Sequence, residues 1–182
     1  MRKNEQRDWK LPAFGEFCPS PIDWARMAAY IDGEGSVLIN TQKRGNARAV
    51  GFYLRVTVAN TDVRLPAWLK ETFGGTYNLA DTEAYYAKRN WKPAYHWGTS
   101  AHRAAWILYN CLPYFIMKRE QAELGITLQE NLSRYRFRGK GAGQVPSQIC
   151  EERRELKRRL LVMKARGRIL EPAQEKRIQE VS

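Results

Sequence analysis

The stretch Trp24–Gln42, WARMAAYIDGEGSVLINTQ, decides how the rest of this chain is read. It opens as a helix, passes through two acids set in a Gly-x-Gly, and ends as a strand. Ala25, Ala29 and Gly33 recur every four residues, with Ala28 beside them. That spacing leaves one helical face without bulk. Small residues so placed let two helix backbones come close, a steric effect best known in membranes but general in origin. Alanines are also simply good helix formers. The acids are harder to accommodate. Asp32 and Glu34 fall at the helix C-terminus, which carries about −0.5 of an elementary charge and destabilises a carboxylate. A divalent cation compensates directly, because Mg²⁺ accepts carboxylate oxygens and the carbonyls of a helix end. If the helix pairs with its own copy about a two-fold axis, two Glu34 side chains come together and repel unless metal sits between or beside them. The plainer alternative is an acidic turn, DGEG, of a kind that arises by chance.

Working outward, Ser20-Pro21 reads as an N-cap followed by Pro at the first helical position, so the helix runs from about Pro21 to Gly33. SVLINTQ (36–42) and GFYLRVTVAN (51–60) alternate like strands, joined by the basic loop KRGNARAV. Thr61 or Asp62 caps a second helix through Phe73, with Pro66 disturbing its first turn. GGTYNLA and AYYAK…AYHWGT read as two more strands around a basic turn, KRNWKP. Ser100 caps a third helix, AHRAAWILYNCL, which Pro113 stops, and another follows from Phe115 to Tyr135. RYRFRGKGAGQVP (134–146) is a basic, glycine-rich loop, and Ser147 begins a last helix that Gly167 stops. Three units result: an N-terminal arm (1–19), a core (20–135), and a basic loop, C-terminal helix and tail (136–182).

The 182 residues suit one domain, and a hydrophobic content of 43% is enough for a core. Lys and Arg number 31 against 19 Asp and Glu, for a net charge of +12. Such an excess points to a polyanion, most simply nucleic acid, or to a subunit facing acidic neighbours. Cys18, Cys111 and Cys150 are odd in number and far apart, which argues against zinc and against a disulfide framework. Free thiols suit a reducing, intracellular setting: cytoplasm, nucleoid or organelle, not secretion. No apolar run approaches the ~18 residues a membrane span needs. Only His96 and His102 exist, so a histidine-based nuclease is poorly supported. GKGAGQ (139–144) lacks the spacing and the Ser/Thr of a phosphate-binding loop.

MAAYIDGEG, Met27 to Gly35, resembles the LAGLIDADG motif of homing endonucleases. It shares the small residues near the start, the aliphatic Ile31, and the Asp-Gly-acid-Gly ending with a strand after it. It departs from the pattern at Met27, at Ala29, and at Glu34, where Asp is commoner. The element order around it is similar to the family core, and LPYFIMKREQAEL (112–124) is similar to the family segment that carries an active-site basic residue. The resemblance covers residues 21–135. It implies an α+β fold: an α-β-β-α-β-β-α core with a saddle-shaped antiparallel sheet, here extended by a C-terminal helix. It also implies the activity, a sequence-specific double-stranded DNA endonuclease. Glu34 and the Gly33 carbonyl would hold the metal, Mg²⁺ or Mn²⁺, with Ca²⁺ supporting binding without cleavage. Asp32 would have a structural role at the helix end. Lys118 would polarise water or the scissile phosphate, and Asn60 would position water. The other reading of Lys118 is a surface lysine, and of Asn60 a turn residue with Thr61 and Asp62. One motif in this length implies a homodimer joined through Ala25, Ala28, Ala29 and Gly33, acting on a long, near-palindromic target.

Alternation then assigns the sheet. Asn40, Gln42 and Arg44 share one face of the first strand, and Tyr53, Arg55 and Thr57 one face of the second. Amides and arginines there can pair with base edges, although ordinary solvent exposure gives the same pattern. Arg48, Lys88, Arg89 and Lys92 sit in connecting turns and suit phosphates. Tyr77, Tyr95 and Trp97 either add contacts or pack. The rival reading is a cleavage-inactive protein on the same scaffold, an intron RNA maturase or a DNA-binding regulator. A basic ribonucleoprotein subunit is the third, and it explains the charge without the acid-tipped helix.

Overall fold

Apolar residues at every second position build the sheet on which the helices rest. The computed structural model describes residues 14–43, 50–135 and 145–165. Helix α1 (Pro21–Glu34) leads directly into β1 (Gly35–Lys43), and β2 (Val50–Asn60) returns antiparallel to it. Helix α2 (Arg64–Phe73) precedes β3 (Thr76–Leu79), α3 (Glu83–Arg89) and β4 (Tyr95–Ser100). Helix α4 (Ala101–Cys111), a 3₁₀ turn (Leu112–Tyr114), α5 (Arg119–Arg134) and α6 (Ser147–Ala165) complete the described chain. The sheet order is β1-β2-β4-β3, antiparallel at every pairing.

One face of this sheet is covered by helices. Val37 and Ile39 of β1, Leu54, Val56 and Val58 of β2, and Trp97 of β4 are buried there. They meet Met27, Ala28 and Ile31 of α1, Leu69 and Phe73 of α2, a run of α4 from Ala104 to Leu108, and Leu128 of α5. Helix α5 crosses close to the strands at Gly125, where a Cβ would come 2.8 Å from Leu54 Cδ1. Leu160 of α6 joins the same core, so the C-terminal helix is packed onto the body.

The start of α1 follows its sequence signals. The Ser20 hydroxyl accepts from the Asp23 N–H, and the Asp23 carboxylate accepts from the Ser20 N–H, a reciprocal cap with Pro21 next to it. Two elements differ from expectation. Residues 84–88, read as part of a strand, lie within α3. Thr82 caps its N-terminus at Tyr85 N–H, and Asn90 closes it in the left-handed region with φ 52°. Those two caps and the helix-forming Ala, Lys and Arg outweigh the strand preference of Tyr85 and Tyr86. The helix expected from Phe115 starts at Arg119 instead, because the N–H groups of residues 116–118 bond to Asp32.

Part of the expected arm is docked. Phe14 lies 5.2 Å, ring to ring, from Trp106, and Arg103 stacks over Phe14 and Phe17 while pairing with Glu16. Cys18, Cys111 and Cys150 are all free thiols, and burial pushes the Cys111 thiol up. Among the described residues no helix is long and apolar enough to cross a membrane. Residues 1–13, Arg44 and Arg48, most of the 134–146 loop, and Gly167 with the tail lie outside the described residues.

Candidate functional site

Helix α1 ends where β1 begins, and Gly35 makes that junction possible. A Cβ there would sit 2.6 Å from Ile31 Cα and 3.1 Å from the Thr57 carbonyl, so only glycine lets helix and sheet approach this closely. The Gly35 N–H donates to the Ile31 carbonyl and closes the last turn.

The two acids before it point to different surroundings. Asp32 is buried, only 7% exposed. Its Oδ2 accepts from Ile116 N–H at 2.8 Å and Met117 N–H at 3.3 Å, and its Oδ1 from Lys118 N–H at 2.9 Å. The carboxylate therefore satisfies a row of backbone donors ahead of α5, where a negative charge is favoured. Lys118 returns along the same path. Its Nζ donates to the carbonyls of Ile31 at 2.7 Å, Asp32 at 2.9 Å and Gly35 at 2.9 Å. The ammonium thus offsets the C-terminal end of α1 and ties it to the first residue of β1. Burial lowers the Lys118 pKa, and the Asp32 charge opposes that shift.

Glu34 is exposed. Its Oε2 accepts from Asn60 Nδ2 at 2.6 Å, while Asn60 Oδ1 accepts from Asp62 N–H at 2.7 Å. Asn60 is therefore pinned at the end of β2, and it orients one oxygen of Glu34. The Gly33 carbonyl is not among the three that Lys118 grips, and the space beside Gly33 is open to more than 4 Å. Among the described residues no three His, Cys, Asp or Glu gather to hold a metal. One carboxylate and one carbonyl per chain nevertheless fit Mg²⁺, which takes one or two carboxylates with substrate phosphates and water.

The face of the sheet away from the helices is polar. The register sets Ser36 opposite Thr57, Leu38 opposite Arg55 and Asn40 opposite Tyr53, and carries the face onto Gly98 and His96 of β4. The Arg55 guanidinium lies across Gly98, 3.4 Å from where a Cβ would stand.

No family model matches the sequence, and no curated protein matches it. Solved structures do match. The homing endonuclease I-CvuI, in complex with the I-CreI target, superposes with a TM-score of 0.63 at 16% identity, over 88% of this chain and 92% of that one. The archaeal intron-encoded homing endonuclease I-Vdi141I, complexed with DNA, gives 0.63 at 12% identity, over 88% and 96%. The LAGLIDADG homing endonuclease I-GzeII, with its DNA target, gives 0.53 at 15% identity, and the match spans 50% of that longer chain.

The chain has the LAGLIDADG homing-endonuclease fold.

Within this fold the expected site residues separate. Glu34 and Asn60 are brought into contact, and Asp32 and Lys118 into another cluster on the same helix end. Gln42 and Arg55 are exposed, and Asn40, Tyr53 and Thr57 half-buried, all on the outer face. Trp97 is not there. It is fully buried on the helix-covered face and donates to the Gly74 carbonyl at 2.9 Å. Tyr77 pairs opposite Trp97 and packs against the core, and Tyr95 shares its pleat side. Counting from Trp97 would have shown this, and would have assigned His96, Asn78 and Thr76 to the outer face instead, where all three are exposed. Lys88 and Arg89 sit on α3, and Arg89 lies 4.0 Å over Tyr85 and 5.6 Å from Trp91. Lys92 follows in the loop. On α1, Ala28 is fully buried in the chain's own core, which removes it from any contact between copies. Ala29 and Gly33 are exposed and Ala25 half-buried, and Ile22 and Arg26 extend the same stripe.

Proposed function

We propose that this chain is a sequence-specific double-stranded DNA endonuclease of the homing type, active as a homodimer with a divalent metal. The observation that carries the reading is the division of labour at the end of α1. Asp32 and the helix end are neutralised by protein groups, whereas Glu34 faces solvent, oriented by Asn60, beside an open Gly33. The +12 net charge and the outer-face amides and arginines support a DNA partner. So do the neighbouring structures, which hold DNA targets.

In this reading the stripe Ile22, Ala25, Arg26, Ala29 and Gly33, exposed but for the half-buried Ala25, meets its copy, bringing two Glu34 residues together at the dyad. Glu34 and the Gly33 carbonyl would hold the metal, Mg²⁺ or Mn²⁺. When bound, it supplies an activated water, a polarised phosphoryl oxygen and leaving-group stabilisation. Asn60 holds one Glu34 oxygen, leaving the other free for the metal. Lys118 keeps the helix end in place, and contact with phosphate requires it to release a carbonyl. Asn40, Gln42, Tyr53, Arg55 and Thr57 face base edges of a near-palindromic target, with Lys88, Arg89 and Lys92 near its backbone. The three free thiols and the basic charge suit a nucleic-acid-bearing compartment inside the cell.

Lys118 favours a second reading. With its three donors on carbonyls, the protein suits a cleavage-inactive DNA regulator or intron RNA maturase. The test is selection of cleaved sites from a random DNA library with and without Mg²⁺. Metal-dependent double-strand cuts at one near-palindromic sequence are expected. Tight duplex binding without cuts would replace the nuclease by the regulator, and group I intron splicing would identify a maturase.

A further inference from the structure

Helix α6 reaches the α1–β1 junction. Leu160 is buried in the common core, and Leu156 and Met163 pack at its margin. Its last turn carries Lys164. Among the described residues β1 is an edge strand with β2 on one side only, so no described strand receives its outward carbonyls. Lys164 Nζ donates to one of these, Val37 O, at 3.1 Å, and to Ser36 Oγ at 2.6 Å. Val37 is a core residue, whereas Ser36 pairs opposite Thr57 on the outer face. The side chain therefore wraps round the strand edge from the helix-covered side.

The same short stretch is also held at the Gly35 carbonyl, two residues earlier on β1, by Lys118. Lys164 of α6 and Lys118, just ahead of α5, thus both hold residues 35–37, immediately after Glu34. They also repel: burial lowers the Lys164 pKa first, and the Lys118 charge lowers it further. Edge cover alone does not require that repulsion. Lys157, two turns earlier on α6, covers the same strand by bonding Thr41 Oγ1 at 3.3 Å, and burial alone lowers its pKa.

We propose that Lys164 is a positioning residue for the Glu34 site, fixing the α1–β1 junction jointly with Lys118 and making α6 part of the cleavage apparatus. This rests on the nuclease reading, but the junction can be observed without DNA. Lys164→Met keeps the stem and removes the donors, Lys164→Arg keeps charge and donors, and Ser36→Ala removes one acceptor with little risk to folding. Lys157→Met is the control at the far end of the strand. In the metal-free protein, hydrogen exchange at the Gly35 amide should quicken about tenfold in Lys164→Met, less in Ser36→Ala, and not in Lys157→Met. Single-turnover cleavage of a selected duplex should slow about tenfold or more, because small misplacements of reacting groups are amplified in rate. Affinity for that duplex without metal should stay within about twofold, and Lys164→Arg should recover most of both effects.

Unchanged Gly35 exchange in Lys164→Met and Ser36→Ala overturns the proposal. So does exchange that quickens equally across the whole chain, which makes Lys164 a general stabiliser. Lost affinity with a flattened salt dependence makes it a phosphate contact and also overturns the positioning role. A wild-type chain that cuts no DNA defeats the nuclease reading, and Gly35 exchange still decides the Lys164 claim.

Discussion

Asp32 and Glu34 stand two residues apart on one helix and have opposite fates. Two residues turn roughly 200° about a helix axis, so one faces the body when the other faces out. Asp32 accepts three backbone N–H groups, and its neighbour Lys118 satisfies three carbonyls. Glu34 is exposed and held by one asparagine. An acid at a helix C-terminus can thus be compensated without metal when it reaches the N–H groups ahead of another helix. The acid that does not reach them, Glu34, stays exposed.

The sharpest way to break this contrast is to remove Asp32. Asp32→Ala leaves three backbone N–H groups without their charged acceptor, and should cost about 2–3 kcal/mol. Denaturant unfolding measures it, and a loss below about 1 kcal/mol would mean that the cluster does not hold the fold. Gly35→Ala strikes the junction shared by both acids. Its Cβ would meet Ile31 and Thr57 backbone, so a stability loss of roughly 1–3 kcal/mol is expected, with slower cleavage.

On the exposed side, Ala29→Leu should leave each protomer folded and weaken the pairing of copies by ~1–3 kcal/mol. Sedimentation would show monomers, and an unchanged dimer would move the interface off α1. The smallest effects belong to the sheet and its flanking loop. Arg55→Ala should relax preference at one position in each half-site, by up to ~1–3 kcal/mol. Lys92→Ala should weaken all duplexes alike and flatten the salt slope by about 0.9 per lost phosphate contact. Binding across a library of targets at several salt concentrations separates the two. Uniform weakening from both would rule out base reading by the outer face.

The motif stretch made much of this legible. Its helix, the turn at Gly35 and the strand after it follow from small-residue spacing and alternation, and the apolar parity of Val37, Ile39, Leu54, Val56 and Val58 identifies the buried face. Partners distant in sequence were not legible. Nothing local says that Asp32 bonds to residues 116–118, so a metal looked like the natural compensation for both acids. Trp97 follows the same parity, on the buried pleat side with Tyr77 and Tyr95. At residues 84–88 the tyrosines suggested a strand, and the Thr82 and Asn90 caps decided otherwise. Lys164 lies 127 positions from its Val37 partner, and no periodicity could have joined them.

Glu34→Gln tests the central claim most directly, because it removes the charge and keeps the shape. With Asp32 carrying the fold and Glu34 the chemistry, the variant should melt within about 2 °C of the unaltered chain. It should bind the selected duplex as before and leave it uncut at any Mg²⁺ concentration. Cleavage near the unaltered rate, or a protein that no longer folds, would contradict the assignment of Glu34.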